Sequence, residues 1–163
     1  MNDPPAGGAA PSIRLASPED VPSLGPLWRR LYEDQREQGM IVRVPADGFE
    51  EWAATMRPVL GRYGCVVVAE SAGGIVGFVA GRIRNLPRHF GGGGAGFISD
   101  VWMEPSHRGH GTGAAMVRMA AAWFRAHGTS RVELQVVTGN AAARRLYARL
   151  GFVEELVQMV LEQ

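Results

Sequence analysis

Two apolar runs, Cys65 to Glu70 and Ile75 to Arg84, stand on either side of Ser71-Ala72-Gly73-Gly74, where glycine permits the positive φ of a tight turn. This pattern predicts an antiparallel hairpin. Upstream, Ser12 to Ala16 alternates apolar and polar residues and predicts a strand, and Ser17-Pro18-Glu19-Asp20 then supplies a cap, a first-turn proline and acidic residues suited to a helix start. That helix carries Val21, Leu24, Leu27, Trp28, Leu31 and Tyr32 on one face and ends by Gly39, with Pro22 and Pro26 weakening its first turns. A second helix is predicted over Phe49 to Leu60. Asn85 to Gly96 holds Pro87 and the glycines from Gly91 to Gly94, a composition that disfavours helix and strand and predicts a flexible loop.

Phe97 to Met103 reads as a strand, broken by Glu104-Pro105-Ser106-His107 before an apolar helix from about Gly111 to His127. Arg131 to Val137 then predicts a strand, Ala141 to Leu150 a helix, and Val153 to Leu161 a last strand after the Gly151-Phe152 turn. The order βααβββαβαβ is that of an α/β or α+β domain with a mixed sheet. A length of 163 residues suits one domain, expected over residues 12–163 behind a frayed tail of residues 1–11.

Composition narrows the chemistry. Apolar residues make up 46% and charged residues 20%, so a core can form without staples. A net charge of +1 with no dense arginine cluster argues against a nucleic-acid partner. Cys65 is the only cysteine, which excludes an internal disulfide and a two-cysteine metal site and fits a reducing cytoplasm. Its place before Val66, Val67 and Val68 reads as a strand thiol rather than a nucleophile. The Pro/Gly/Ala-rich start does not read as a signal peptide, and no apolar segment approaches the ~20 residues needed to cross a bilayer. No metal is expected.

Arg108-Gly109-His110-Gly111-Thr112-Gly113 follows a strand and opens a helix, where successive main-chain N–H groups have no intrahelical acceptor. An anion satisfies several of them at once at the positive end of the helix dipole, and glycines let its oxygens approach. The same composition also serves a tight strand-to-helix junction. All 17 basic residues are arginines, so the lysine of a P-loop is missing and nucleotide hydrolysis is excluded. Gly109, Gly111 and Ala114 match a dinucleotide fingerprint, with Glu133 at the expected acidic spacing, but Glu133 lies inside the run Val132 to Val137 and little chain remains to complete such a sheet.

The segment Asp100 to Gly113, with Arg108, Gly111 and Gly113, resembles the acetyl-CoA signature of the GNAT family of N-acetyltransferases. Asn140, Leu146-Tyr147 and Gly151-Phe152 are similar to that family's second common block. The resemblance implies a GNAT fold, with a mixed, mostly antiparallel sheet of six to seven strands, about four helices and splayed middle strands. It also implies acetyl-CoA as cosubstrate, with Trp102 and Met103 on the cofactor strand and Arg108, Gly109, His110, Gly111, Thr112 and Gly113 around the pyrophosphate. Asn140 would bind the pantetheine region, and a homodimer is a further expectation of the family.

Acetyl transfer to an amine needs a proton acceptor, a group for the oxyanion and an acid for the leaving thiolate. By resemblance, Tyr147 is the acid, although a helix tyrosine beside Leu146 and Leu150 also suits a core. Asp100 interrupts an apolar strand, and a carboxylate there needs a partner or a task, so it is the candidate base or a structural hydrogen-bond acceptor. Some amine acetyltransferases carry Glu where this chain has Ser99. Trp28, Tyr32, Trp52, His89 and Phe90 are candidates for the acceptor pocket. The acceptor, a small-molecule amine or a peptide amine, is not legible, and a non-catalytic acyl-CoA sensor and a longer-chain acyltransferase are the alternatives.

Overall fold

The protein is described by a computed structural model covering residues 9–161. Strand β1 (Ser12–Leu15) leads through a 3-10 turn (Val21–Leu24) into helix α1 (Gly25–Glu37), followed by α2 (Gly48–Met56). The hairpin β2 (Gly64–Ser71) and β3 (Gly74–Asn85) precedes β4 (Gly94–Met103), α3 (Thr112–Ala126), β5 (Arg131–Leu134) and α4 (Ala141–Arg149). The prolines act as expected: Pro22 sits in the 3-10 turn and Pro26 at the start of α1, where a missing N–H costs nothing.

The sheet runs β1-β2-β3-β4-β5, with β4–β5 its one parallel pair. Helices cover both faces. Val66, Val68, Phe78, Ala80 and Trp102 pack under α1 and α2, while Cys65, Val67, Val79, Ile98 and Met103 pack under α3 and α4. Burial on both faces explains why β2 is a continuous apolar run rather than an alternating one. It also places the Cys65 thiol in the core, where burial pushes it up to about 12 and keeps it protonated.

Two expectations are corrected. The 85–96 loop is shorter than its composition suggests, because the ladder continues through Asn85↔Gly94, Arg84↔Ala95 and Ile83↔Gly96. Gly96 is needed there because the Phe124 ring lies against it, 2.4 Å from where a Cβ would stand. Among the described residues the sheet has five strands rather than six or seven, since Val153–Leu161 forms no ladder. That segment is tied to the β5 region through side chains alone, by Arg131–Glu155 and a 3.1 Å bond from Gln135 to Gln158, and leaves Leu156, Val157 and Met159 exposed. Residues 1–8 of the expected tail lie outside the described residues.

Two irregularities shape the site. The register shifts between Ala80 and Gly81, which pair with Asp100 and Ile98, so Ser99 is an extra residue on β4. The bulge turns Ile98 toward α3 and Asp100 toward α1 and α2. The β4–β5 pairing stops at Ile98↔Leu134, and beyond it the two strands part.

Candidate active site

The gap left by the parting strands opens into a cavity of about 820 Å³. Its walls include Ser99 and Val101 to Met103 on β4, Leu134 at the end of β5 with Gln135 to Val137 after it, the start of α3, Asn140 at the cap of α4 and Tyr147 within it. Strand edges that have lost their partner carry main-chain donors and acceptors, so an extended polar chain can lie between them.

At one end stands the turn before α3. Gly109 and Gly111 have φ of 85° and 84°, a left-handed conformation that favours glycine, and Gly111 is the N-cap. No side chain caps this helix. Its first amides therefore lack an intramolecular acceptor at the positive pole of a helix of 15 residues. Gly113 adds a separate sign. It lies within the helix, where glycine costs about 1 kcal/mol against alanine, and a Cβ there would meet nothing within 4 Å. No protein neighbour requires this glycine, and the space it leaves open belongs to the cavity wall.

Arg108 secures the junction between strand and turn. Its Nε donates to the Met103 carbonyl at 2.8 Å and its guanidinium lies 4.7 Å from the Trp102 ring centre. The cavity wall holds His107, Arg108, Gly109, Gly111 and Gly113, but not His110, which is exposed, or Thr112, which is buried at the start of α3.

Asn140 and Tyr147 sit at opposite ends of one short helix. Asn140 lines the cavity, and its Oδ1 accepts from the Ala143 amide at 2.9 Å, which caps α4 and leaves the Nδ2 hydrogens out of that bond. At the C-terminus Gly151 takes φ 91°, its N–H donates to Ala148 O, and the Phe152 N–H donates to Tyr147 O. This is a Schellman cap, in which the residue after the glycine packs on the residue five positions earlier. Phe152 does so, edge-on to Tyr147 with ring centres 5.9 Å apart. The Gly-Phe pair of the second block thus ends the helix and fixes the phenol in one structure. Burial pushes Tyr147 up to about 12, so it is a phenol rather than a phenolate at neutral pH.

Asp100 is not on the cavity wall. It is buried, and accepts from Tyr32 OH at 3.0 Å, Trp52 Nε1 at 3.1 Å and Ser99 Oγ at 2.6 Å. Desolvation raises its pKa and these three donors oppose the rise. Ser99, the bulged residue, does face the cavity, so its hydroxyl links Asp100 to the open space.

The structure adds residues that sequence reasoning missed. Leu31, Asp34, Gln35 and Gln38 of α1 and its C-terminus border the cavity. Their spacing continues the apolar stripe Leu24, Leu27, Leu31 with polar residues, the one signal that the helix face runs on into a site. The aromatic candidates lie elsewhere: Trp28, Tyr32 and Trp52 cluster with Phe49 between α1 and α2, and His89 and Phe90 are exposed in a turn after β3.

A family model described as "Acetyltransferase (GNAT) family" matches residues 26–152. The chain belongs to the GNAT acetyltransferase family. Mycothiol acetyltransferase of Thermobispora bispora is 34% identical in an alignment of 96 residues that covers 57% of this chain and 31% of that protein. The matched segments span only 24% to 31% of the first curated relatives' own length. Among solved structures, the BH1408 protein of Bacillus halodurans superposes with a TM-score of 0.75 at 23% identity, covering 93% of this chain and 99% of that one. The aminoglycoside N-acetyltransferase AAC(6')-Iy in complex with CoA gives 0.75 at 17% identity, covering 99% of each chain. At these identities the superpositions establish the GNAT fold of the chain. Among the described residues, no group of His, Cys, Asp and Glu is placed to hold a metal, and no helix is long and apolar enough to cross a membrane.

Proposed function

We propose that residues 12–163 act as one domain that holds acetyl-coenzyme A in the gap between β4 and β5 and transfers its acetyl group to a primary amine by direct attack. The observation that carries this reading is a single cavity joining three features: uncapped α3 amides, unpaired strand edges and a protonated tyrosine. Coenzyme A has the matching sequence of parts, a diphosphate, a polar extended arm and a thiol. Family membership and the CoA-bound state of AAC(6')-Iy support the same choice of cosubstrate.

In this reading the amides of the Gly109–Gly113 turn hold the diphosphate, with Arg108 adding positive charge at its side. Asn140 Nδ2 donates to the arm. The cosubstrate supplies an activated thioester. The neutral amine nitrogen bonds to the carbonyl carbon, a β4 main-chain N–H near Met103 receives the oxyanion, and the C–S bond then breaks. Tyr147 gives its proton to the departing sulfur. The proton lost by the amine passes to Ser99 Oγ as that hydroxyl hands its own to Asp100, whose raised pKa suits it to receive one.

Acetyl-CoA offered with a panel of amines, with free thiol followed over time, tests the proposal. Tyr147→Phe should slow turnover by about a hundredfold while coenzyme A affinity stays within about twofold. Equal rates in the two proteins would remove Tyr147 as the acid, and binding without thiol release for every amine would favour an acyl-CoA sensor.

A further inference from the structure

The charges on the cavity wall are segregated. Arg108, Arg118 and Arg149 lie on the α3 and α4 side, and the one carboxylate on the wall among the described residues is Asp34 of α1. A diphosphate would be repelled by Asp34, so the α1 end is a different subsite from the anion cradle. Its composition asks for a different ligand.

Asp34 is half-buried and accepts a hydrogen bond from Gln38 Nε2 one helical turn later. A carboxylate only accepts, so this contact fixes the orientation of the Gln38 amide and turns its Oε1 the other way. That oxygen is buried and has no partner. Two acceptors therefore border one end of the cavity, one carrying a full charge and the other lacking any donor. A buried acceptor left unpaired is destabilising, and a ligand with several N–H groups would satisfy it.

The position of this end is fixed by main chain. A Cβ on Gly139 would stand 2.2 Å from the Gln38 carbonyl oxygen, so the end of α1 rests directly on the turn that carries Asn140. Asp34 and Gln38 are thus held against the wall that, in the proposed reading, carries the cosubstrate's arm.

We infer that Asp34 and Gln38 form a cation subsite for the acceptor, and that the acceptor class is an amine bearing a second, protonated amino group. This rests on the proposed acetyl transfer, because the amine that attacks must be neutral while the one bound at Asp34 stays charged. An acceptor with a carboxylate in that position is disfavoured by the same charge.

The test uses the full chain with acetyl-CoA and a series of α,ω-diamines of three to eight carbons, each compared with the n-alkylamine and the ω-amino acid of equal length. The wild type should favour the best diamine over its alkylamine by about tenfold or more in kcat/KM, the scale of one charge-assisted contact, with the ω-amino acid poorest. Asp34→Asn should collapse the diamine-to-alkylamine ratio toward one, chiefly through KM, and coenzyme A affinity should stay within twofold. An unchanged ratio in Asp34→Asn, or a wild type that prefers the ω-amino acid, overturns the inference. Should no amine release thiol, the diamines are titrated by calorimetry into wild type and Asp34→Asn with coenzyme A present. Diamine heat that is lost in the variant supports the subsite even if the transfer reading fails, and absence of diamine binding to the wild type refutes it.

Discussion

Ser99 and Asp100 show how two adjacent residues come to face different environments. An undisturbed strand would send Ile98 and Asp100 to the same face, but the extra residue in β4 separates them and leaves the Ser99 hydroxyl between the buried carboxylate and the cavity. If the proton leaves by this route, Ser99→Ala and Asp100→Asn should each lower kcat/KM by about tenfold or more, and the double variant should be no worse than the poorer single one. The rate should rise with pH as Asp100 deprotonates, and Asp100→Asn should flatten that limb. Full activity in Ser99→Ala would assign Asp100 to holding Tyr32 and Trp52 in place instead. Asp100 was legible as a polar interruption of an apolar strand. The bulge that reconnects it to the site was not, because its register depends on the opposing strand and no local pattern announces it.

Elements whose signals are local agree best with their sequence patterns. The β2–β3 hairpin, the α3 turn and the α4 caps each follow from residues within a few positions of one another. Val153–Leu161 fails the same test because alternation makes a strand only where a neighbouring edge accepts its main chain. The entry to α1 is secured over a longer range. Arg14 of β1 donates to both oxygens of Asp20 at 2.7 and 2.9 Å and to Glu70 of β2 at 3.0 Å. The guanidinium holds the Asp20 carboxyl down to about 2, below its ordinary 3.8. Because the unfolded chain binds that proton first, the pair stabilises the fold above about pH 4, and the contribution is lost as pH falls from 3.8 toward 2. For a pair partly open to solvent it is worth about 1 kcal/mol. Urea denaturation of Arg14→Met should show that deficit at pH 7 and little difference from wild type near pH 2. An equal deficit at both values would mean that Arg14 acts through packing.

At the scale of the molecule, the five strands and two helical layers of the described residues have one consequence for function: they bring residues from α1, β4, the α3 turn and α4 around one cavity. The half nearer the C-terminus was readable in advance because its two motifs are short and lie close together in the chain. The contribution of α1 was not, since Asp34 and Gln38 become part of the site only when Gly139 meets the helix end across about a hundred residues of sequence. Titration calorimetry of coenzyme A into the wild type and Gly113→Val tests the central claim most directly. The added side chain should enter open space beside the α3 amides, leave thermal stability within about 1 kcal/mol of wild type, and weaken coenzyme A binding at least about tenfold. No binding heat in the wild type across temperatures, or equal affinity in the folded Gly113→Val protein, would contradict it.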